Sequence, residues 1–418
     1  MSRIFHPLEA DPGARSRGPR ASVRGRGAAS QPANRFAARS GGEIAIDFRY
    51  EPLEVEEWGD DWGPGDPWGP GDHGGAGRGG AVGPSPGTAG APAAERTVYV
   101  RDATRTILAR NDSPDIPFDA SVNPYRGCEH GCAYCYARPT HEYLGLSAGL
   151  DFERRILVKT DAAPLLRTAL GRRGWRPQVI AMSGVTDPYQ PIERRLAITR
   201  SCLEVLLDFR NPVSIVTKSH LVARDIDLLR ALSEHRAASV ALSITSLDAR
   251  LARALEPRAP GPAQRLHAIH QLAAAGIPVG VMVAPVIPGL TDAETPAILR
   301  AAAEAGAGFA GTVPLRLPHG VDALFADWLE RHAPERKVKV LDRLKSLRRE
   351  PGAGGGASER LNDPAFGSRM RGHGPYAQQL HDLFHLTRRR VGLARQAPWL
   401  STAAFRRPEP VPAQLTLF

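Results

Sequence analysis

Cysteine is scarce: the chain has four in 418 residues. Three of them, Cys128, Cys132 and Cys135, crowd one short stretch, and Cys202 stands apart. A disulfide framework needs paired cysteines in a short secreted chain, so that class is excluded. A second Cys-x2-Cys pair, the usual complement in zinc sites, is missing. No apolar run approaches the roughly 20 residues that cross a bilayer. The polar, Arg-rich start has no signal-peptide pattern. A cytoplasmic location is therefore expected, where thiols stay reduced. Acidic residues are outnumbered, 44 Asp and Glu against 54 Lys and Arg, for a formal charge of +10. Such a balance suits a nucleic-acid partner. High-GC coding also enriches arginine, so bulk charge alone decides nothing.

The three clustered cysteines lie in Asn123-Pro-Tyr-Arg-Gly-Cys-Glu-His-Gly-Cys-Ala-Tyr-Cys-Tyr136, a C-x3-C-x2-C pattern. Tight spacing lets one loop wrap a compact centre, and Gly127 and Gly131 let the backbone bend around it. A cubane [4Fe–4S] cluster takes one thiolate per iron, and four cysteines are its usual set. Three would leave one iron open to a substrate or cofactor. The alternative is zinc, with His130 or His141 as fourth donor.

Residues 1–95 read as a disordered arm. Arg is frequent from Arg15 to Arg39, a short repeat follows at Trp62–Asp66 and Trp68–Asp72, and Gly and Pro dominate through Pro92. Such a composition buries too little apolar surface to offset chain entropy. From Thr97 the pattern turns globular. Expected strands are Val179–Ser183, Val213–Thr217, Ser239–Ile244, Pro278–Ala284 and Gly308–Leu315, after a first near Ser121–Tyr125. Helical stretches lie between them at Ala162–Leu170, Ile192–Phe209, Ala223–His235, Pro262–Ala275 and Ala293–Ala305. In Pro262–Ala275 one apolar face is expected from Leu266, Ile269 and Leu272. Alternating β and α units imply an α/β fold with a parallel sheet, as an open or partial barrel over residues 97–318. Residues 319–395 read as a helical C-terminal extension, with Phe325, Trp328 and Leu329 on one face. Residues 396–418 read as a loose, Pro-rich tail.

In parallel β/α folds, reactive groups gather at the carboxyl ends of strands. Ser183, Lys218 and Ser243 occupy such ends on successive expected strands, above the cysteine loop. Three polar residues in register there point to a ligand pocket.

The cysteine spacing, with an aromatic (Tyr134) before the last cysteine, resembles the radical S-adenosylmethionine (SAM) superfamily. Four stretches resemble its spore-photoproduct-lyase-like branch: Asn123–Cys128, Cys135–His141, Asp187–Glu193 and Ala284–Gly289. The likeness spans about residues 97–390. It implies a partial (β/α)6 radical-SAM barrel, a [4Fe–4S] cluster on Cys128, Cys132 and Cys135, and SAM as cosubstrate. It places Ser183 near the methionyl amino and carboxyl groups, Lys218 on the carboxylate, Ser243 at the ribose or carboxylate, and Tyr134 beside the adenine. Val283–Ile287 should flank the adenine. The implied reaction is reductive SAM cleavage to a 5′-deoxyadenosyl radical, fed by an external one-electron donor, with a DNA lesion or other nucleic acid as substrate. Spore photoproduct lyases carry a hydrogen-donating cysteine near the end of the second strand, and Ala181–Asp187 contains none.

Two further expectations concern partners. Gln414-Leu-Thr-Leu-Phe418 resembles the peptide by which bacterial replication and repair proteins dock on the sliding clamp. The competing class for the whole chain is a nucleic-acid-associated binding protein whose Fe–S or zinc centre is structural.

Overall fold

The computed structural model describes residues 26–36, 53, 96–348 and 360–409. Its main sheet has seven strands. In chain order they are β2 (Leu108–Arg110), β3 (Ala120–Val122), β6 (Ile180–Met182), β7 (Val213–Thr217), β8 (Ala238–Ser243), β9 (Val279–Val286) and β10 (Phe309–Pro314). In space they run β10-β9-β8-β7-β6-β3-β2. Every pairing is parallel except β2 with β3. Six parallel strands in sequential order are the wall of a partial (β/α)6 barrel, and all six expected strands are present.

Local chemistry explains the order. β8 is buried along its whole length, so it carries small and apolar residues rather than an alternating pattern. Helix α7 (Pro262–Ala274) starts with Pro at its first position after Gly261, where a missing N–H costs nothing. It stops where Gly276 takes φ +75°. Gly280 on β9 leaves room for the Phe309 ring on β10, since a Cβ there would lie 2.4 Å from that ring.

A second sheet, not foreseen from the sequence, pairs β1 (Val98–Arg101), β5 (Arg155–Val158) and β4 (Tyr125–Arg126) in the order β1-β5-β4. The loop carrying the cysteines leaves β4 and returns through α1 (Leu150–Arg154) to β5. Both ends of that loop are therefore pinned to one small sheet.

Three expectations change. Ile192–Phe209 is two helices, α3 (Glu193–Leu196) and α4 (Ile198–Phe209), broken at Ala197 with φ +51°. Glu193 accounts for the break. Its carboxylate accepts the Thr199 N–H at 2.9 Å and the Tyr125 hydroxyl at 2.5 Å, satisfying a helix N-terminus from outside it. Residues 396–409 are docked rather than loose: Ser401 N–H donates to Arg236 O and Arg406 N–H to Phe209 O, each at 2.9 Å. The ring of Phe405 lies 6.1 Å from that of Phe209. Within the compositionally disordered arm, residues 26–36 pack against the cysteine loop, with Ala28 and Ala29 buried.

The extension behaves as its periodicity suggests. In α9 (Val321–His332), Phe325, Trp328 and Leu329 are fully buried, and Trp328 donates to Ala254 O at 2.9 Å. They share one apolar cluster with Cys132, Tyr134 and Ile287. Next come α10 (Pro334–Leu347) and α11 (Gly374–Arg390). The segment after α11 covers the free edge of β10, through Ala310 N–H to Ala394 O and Ala394 N–H to Gly308 O. No described helix is long and apolar enough to cross a membrane.

Candidate metal and cofactor site

The cysteine loop turns twice through left-handed glycines, Gly127 at φ +80° and Gly131 at φ +67°. Neither position has room for a side chain. A Cβ on Gly127 would lie 2.9 Å from Phe152 O, and one on Gly131 2.8 Å from a Glu153 oxygen. Cys128 and Cys132 are buried and Cys135 is half-buried; all are free thiols. Burial pushes all three thiols up, and for Cys128 the nearby Asp187, Cys132 and Cys135 add to the rise. Left bare, they stay protonated; a bound metal would draw them into the thiolate form.

The zinc alternative would take its fourth donor from His130 or His141. His130 directs Nδ1 to Asp187 at 3.4 Å, and His141 directs Nε2 to Arg155 O at 3.0 Å. Among the described residues no three His, Cys, Asp or Glu side chains converge on a single-ion site. A polynuclear cluster needs no such convergence, because each thiolate binds its own iron. Three free thiols on one loop, two of them buried and the third half-buried, fit that group.

The loop's outer side rests on a buried ion pair. Arg138 and Glu153, both fully buried, are bonded to each other. Arg138 also donates to Cys132 O through Nε at 3.1 Å and Nη2 at 2.8 Å. Glu129, buried too, accepts the Tyr99 hydroxyl and the Ile192 N–H at 2.8 Å each. Arg258 lies 3.4 Å from it, a salt bridge rather than a site for an external anion.

Three of the expected cofactor residues, Tyr134, Lys218 and Ser243, meet at the carboxyl edge of the sheet. Lys218 Nζ donates to Ser243 Oγ at 2.7 Å and to Ala284 O at 3.2 Å. It lies 5.7 Å from the centre of the Tyr134 ring. Ser183 sits at the end of β6 with φ +141°, and its hydroxyl lies 3.4 Å from Thr186 O. Asp187 ties these loops together, accepting Thr217 Oγ1 at 2.6 Å and Lys218 N–H at 2.7 Å. Burial alone would raise the Asp187 carboxyl; His130 and those donors outweigh it and hold it below its ordinary value. Within Val283–Ile287 the Ala284 carbonyl is occupied by Lys218, Ser243 and Thr245, and Val283 and Ile287 are buried in the core.

Sequence reasoning missed the hub beneath them. Glu256, fully buried, bonds Arg265 and the Tyr134 hydroxyl, lies 2.8 Å from Thr245 Oγ1, and stands 3.5 Å from Lys218 Nζ. Burial would raise its carboxyl, but Arg265 and Lys218 hold it well below the usual carboxylate range. Arg265 also donates to Ser243 O at 2.8 Å. A signal existed: Arg265 falls on the buried stripe of α7 with Pro262, Ala268, Ile269 and Leu272. A charged residue on that stripe requires a buried partner. Leu266, assigned to the apolar face, is only half-buried.

The site thus belongs to a parallel β/α barrel with a thiol loop at its carboxyl edge. Residues 122–302 match the Radical SAM superfamily model. An uncharacterized protein of Mycobacterium tuberculosis is 41% identical over 222 residues, 53% of this chain and 65% of the relative. The match thus spans just under two thirds of that relative's length. An uncharacterized protein of Methanocaldococcus jannaschii is 33% identical over 173 residues, 41% of this chain and 62% of the relative. Among solved structures, a spore photoproduct lyase mutant with bound AdoMet and dinucleoside spore photoproduct aligns at TM-score 0.49 and 18% identity, covering 71% of this chain and 80% of that one.

Proposed function

We propose that this protein is a radical SAM enzyme of the spore-photoproduct-lyase-like branch, with Cys128, Cys132 and Cys135 holding a [4Fe–4S] cluster. One observation carries the reading: three free thiols on a single loop, Cys128 and Cys132 buried and Cys135 half-buried, beside the carboxyl edge of six parallel strands. When bound, such a cluster supplies one electron to SAM and generates the 5′-deoxyadenosyl radical that abstracts hydrogen from a substrate. The chain's own residues bind and orient. Lys218 offers a cation to the SAM carboxylate, held in place by Ser243 and the Ala284 carbonyl. Ser183 and Ser243 add hydroxyl contacts, and Tyr134 presents its ring beside Lys218 while Glu256 holds its hydroxyl. The electron comes from an external one-electron donor, and the setting is cytoplasmic.

The proposed substrate class is nucleic acid, supported by the +10 charge and the sequence likeness to the branch. Cysteine-dependent reversal of spore photoproduct is not part of the proposal. Ala181–Asp187 has no cysteine, and Cys202 is buried in the core on α4, where it packs as a small apolar group. The clamp-like peptide Gln414–Phe418 lies outside the described residues. A structural metal centre in a binding protein is the second reading, and loaded protein separates the two. Anaerobic reconstitution, reduction and addition of SAM should yield 5′-deoxyadenosine; fully loaded protein that makes none overturns catalysis. Retention on DNA should weaken steeply with salt, and absence of retention at low salt removes the nucleic-acid assignment.

A further inference from the structure

Residues 26–36 lie roughly a hundred positions before the cysteines and outside the matched domain, yet they form the outer wall of the cysteine loop. The segment is bonded almost residue by residue. Gly27 and Ala28 N–H groups donate to the two Glu153 carboxylate oxygens at 3.1 and 2.9 Å. The Arg26 guanidinium donates to Glu153 O and Thr97 Oγ1, each at 2.9 Å. Ser30 O accepts Leu150 N–H at 3.3 Å, and Pro32 O accepts the Ser147 hydroxyl at 2.7 Å. Asn34 donates to Glu142 O at 2.8 Å and Leu146 O at 3.1 Å. Contact with the loop is backbone on backbone: a Cβ added to Gly27 would lie 1.7 Å from Gly131 O and 3.0 Å from Ala133 N.

The Glu153 carboxylate therefore spans two structures. On one side it is held by the strap's amides; on the other it holds Arg138, which holds the Cys132 carbonyl. Removing the strap would strip two donors from a buried carboxylate and open the Gly131–Ala133 backbone to water. A buried charge left short of partners is costly enough to force rearrangement.

We propose that residues 26–36 are a positioning strap for the cysteine loop: through Glu153 and Arg138 they hold Cys132 in place and close the loop's outer face, so that they govern how firmly an iron–sulfur cluster is retained. The retention half rests on the cluster reading above; the clamping half does not.

Two measurements on the full-length chain test it. Gly27→Val drives the strap off Gly131, and Arg26→Ala, a milder change, serves if the first variant fails to fold. Leu400→Ala, in the docked tail far from the loop, is a control that loses stability for unrelated reasons. Strap release is read by hydrogen exchange at residues 27–35. Loop loosening is read by exchange at residues 128–135, and retention by the rate at which a ferrous chelator strips iron anaerobically. Release should speed exchange in the loop and iron loss by roughly tenfold or more, as expected when hydrogen bonds to a buried carboxylate are lost. A peptide with the sequence of residues 26–36, added in excess, should restore part of both. Leu400→Ala should change neither. The proposal fails if the strap stays as protected in Gly27→Val as in the parent chain. It fails too if release leaves loop exchange and iron loss unchanged, or if Leu400→Ala matches the strap variants. Parent protein that takes up no iron would sink the cluster reading, while loop exchange would still decide the clamp.

Discussion

Glu153 and Glu256 are both fully buried, and each is bonded to a buried arginine that also grips a backbone carbonyl near the site. Their remaining partners differ. Glu153 is completed by backbone amides of the strap, groups that cannot change charge or swing away singly. Glu256 is completed by side chains, Tyr134, Thr245 and Lys218. The first arrangement is a clamp. The second is an electrostatic network whose cation, Lys218, also faces the proposed cofactor. One residue pair thus serves geometry in one place and charge placement in the other.

The largest effect should come from stranding either carboxylate. Arg265→Ala or Arg138→Ala leaves a buried charge unpaired and should cost about 3–5 kcal/mol in urea unfolding. The comparison predicts different side effects: Arg265→Ala should also weaken SAM binding through displaced Lys218 and Tyr134, whereas Arg138→Ala should chiefly weaken iron retention. Equal losses of both properties in both variants would erase the distinction.

Acid should act first at His141, beside the cysteine loop. His141 packs against Phe152 beneath the loop, and burial lowers its pKa from 6.5 to about 4. The folded protein keeps it neutral, while the unfolded chain takes up a proton below about pH 6.5. Stability therefore falls as pH drops from 6.5 to about 4, by about 3 kcal/mol in all, and is flat above that window. Glu256 works in a lower range. Its folded pKa is depressed, so its contribution stays whole down to its ordinary 4.5 and is lost only further down. Urea midpoints from pH 7 to 4 should show the first slope, and His141→Gln should flatten it. An unchanged slope in that variant would remove His141 as the cause.

Tyr134→Phe is a smaller probe of the network. It deletes one hydroxyl that donates to Glu256, which keeps Arg265 and Thr245, and should cost about 2 kcal/mol. The smallest effect belongs to the exposed pair Arg101 and Asp161, 3.0 Å apart. Arg101→Ala should change stability by less than about 1 kcal/mol, which calibrates the buried pairs against a solvated one.

Much of the barrel was legible because burial repeats along the chain. Five of the six parallel strands, β6 to β10, are short apolar runs separated by helices, and Gly276 marks the end of α7 as its left-handed backbone requires. The cysteine spacing was equally local, since thiols on one loop advertise themselves. The break at Ala197 was hidden because its cause, Glu193 with Tyr125 and Arg224, is assembled from distant segments. The docking of residues 396–409 was hidden for a similar reason: backbone carbonyls of Arg236 and Phe209 accept its N–H groups, and backbone groups look alike in every sequence.

Periodicity and motif spacing suffice for the parallel strands and the thiol loop, because such signals depend on neighbours within a few positions. The joining of residues 26–36 to Glu153, and of Glu256 to Arg265, Tyr134 and Lys218, appears only once the chain is folded. A buried charge selects its partners by distance in space, and the residues that satisfy it need share no pattern along the chain.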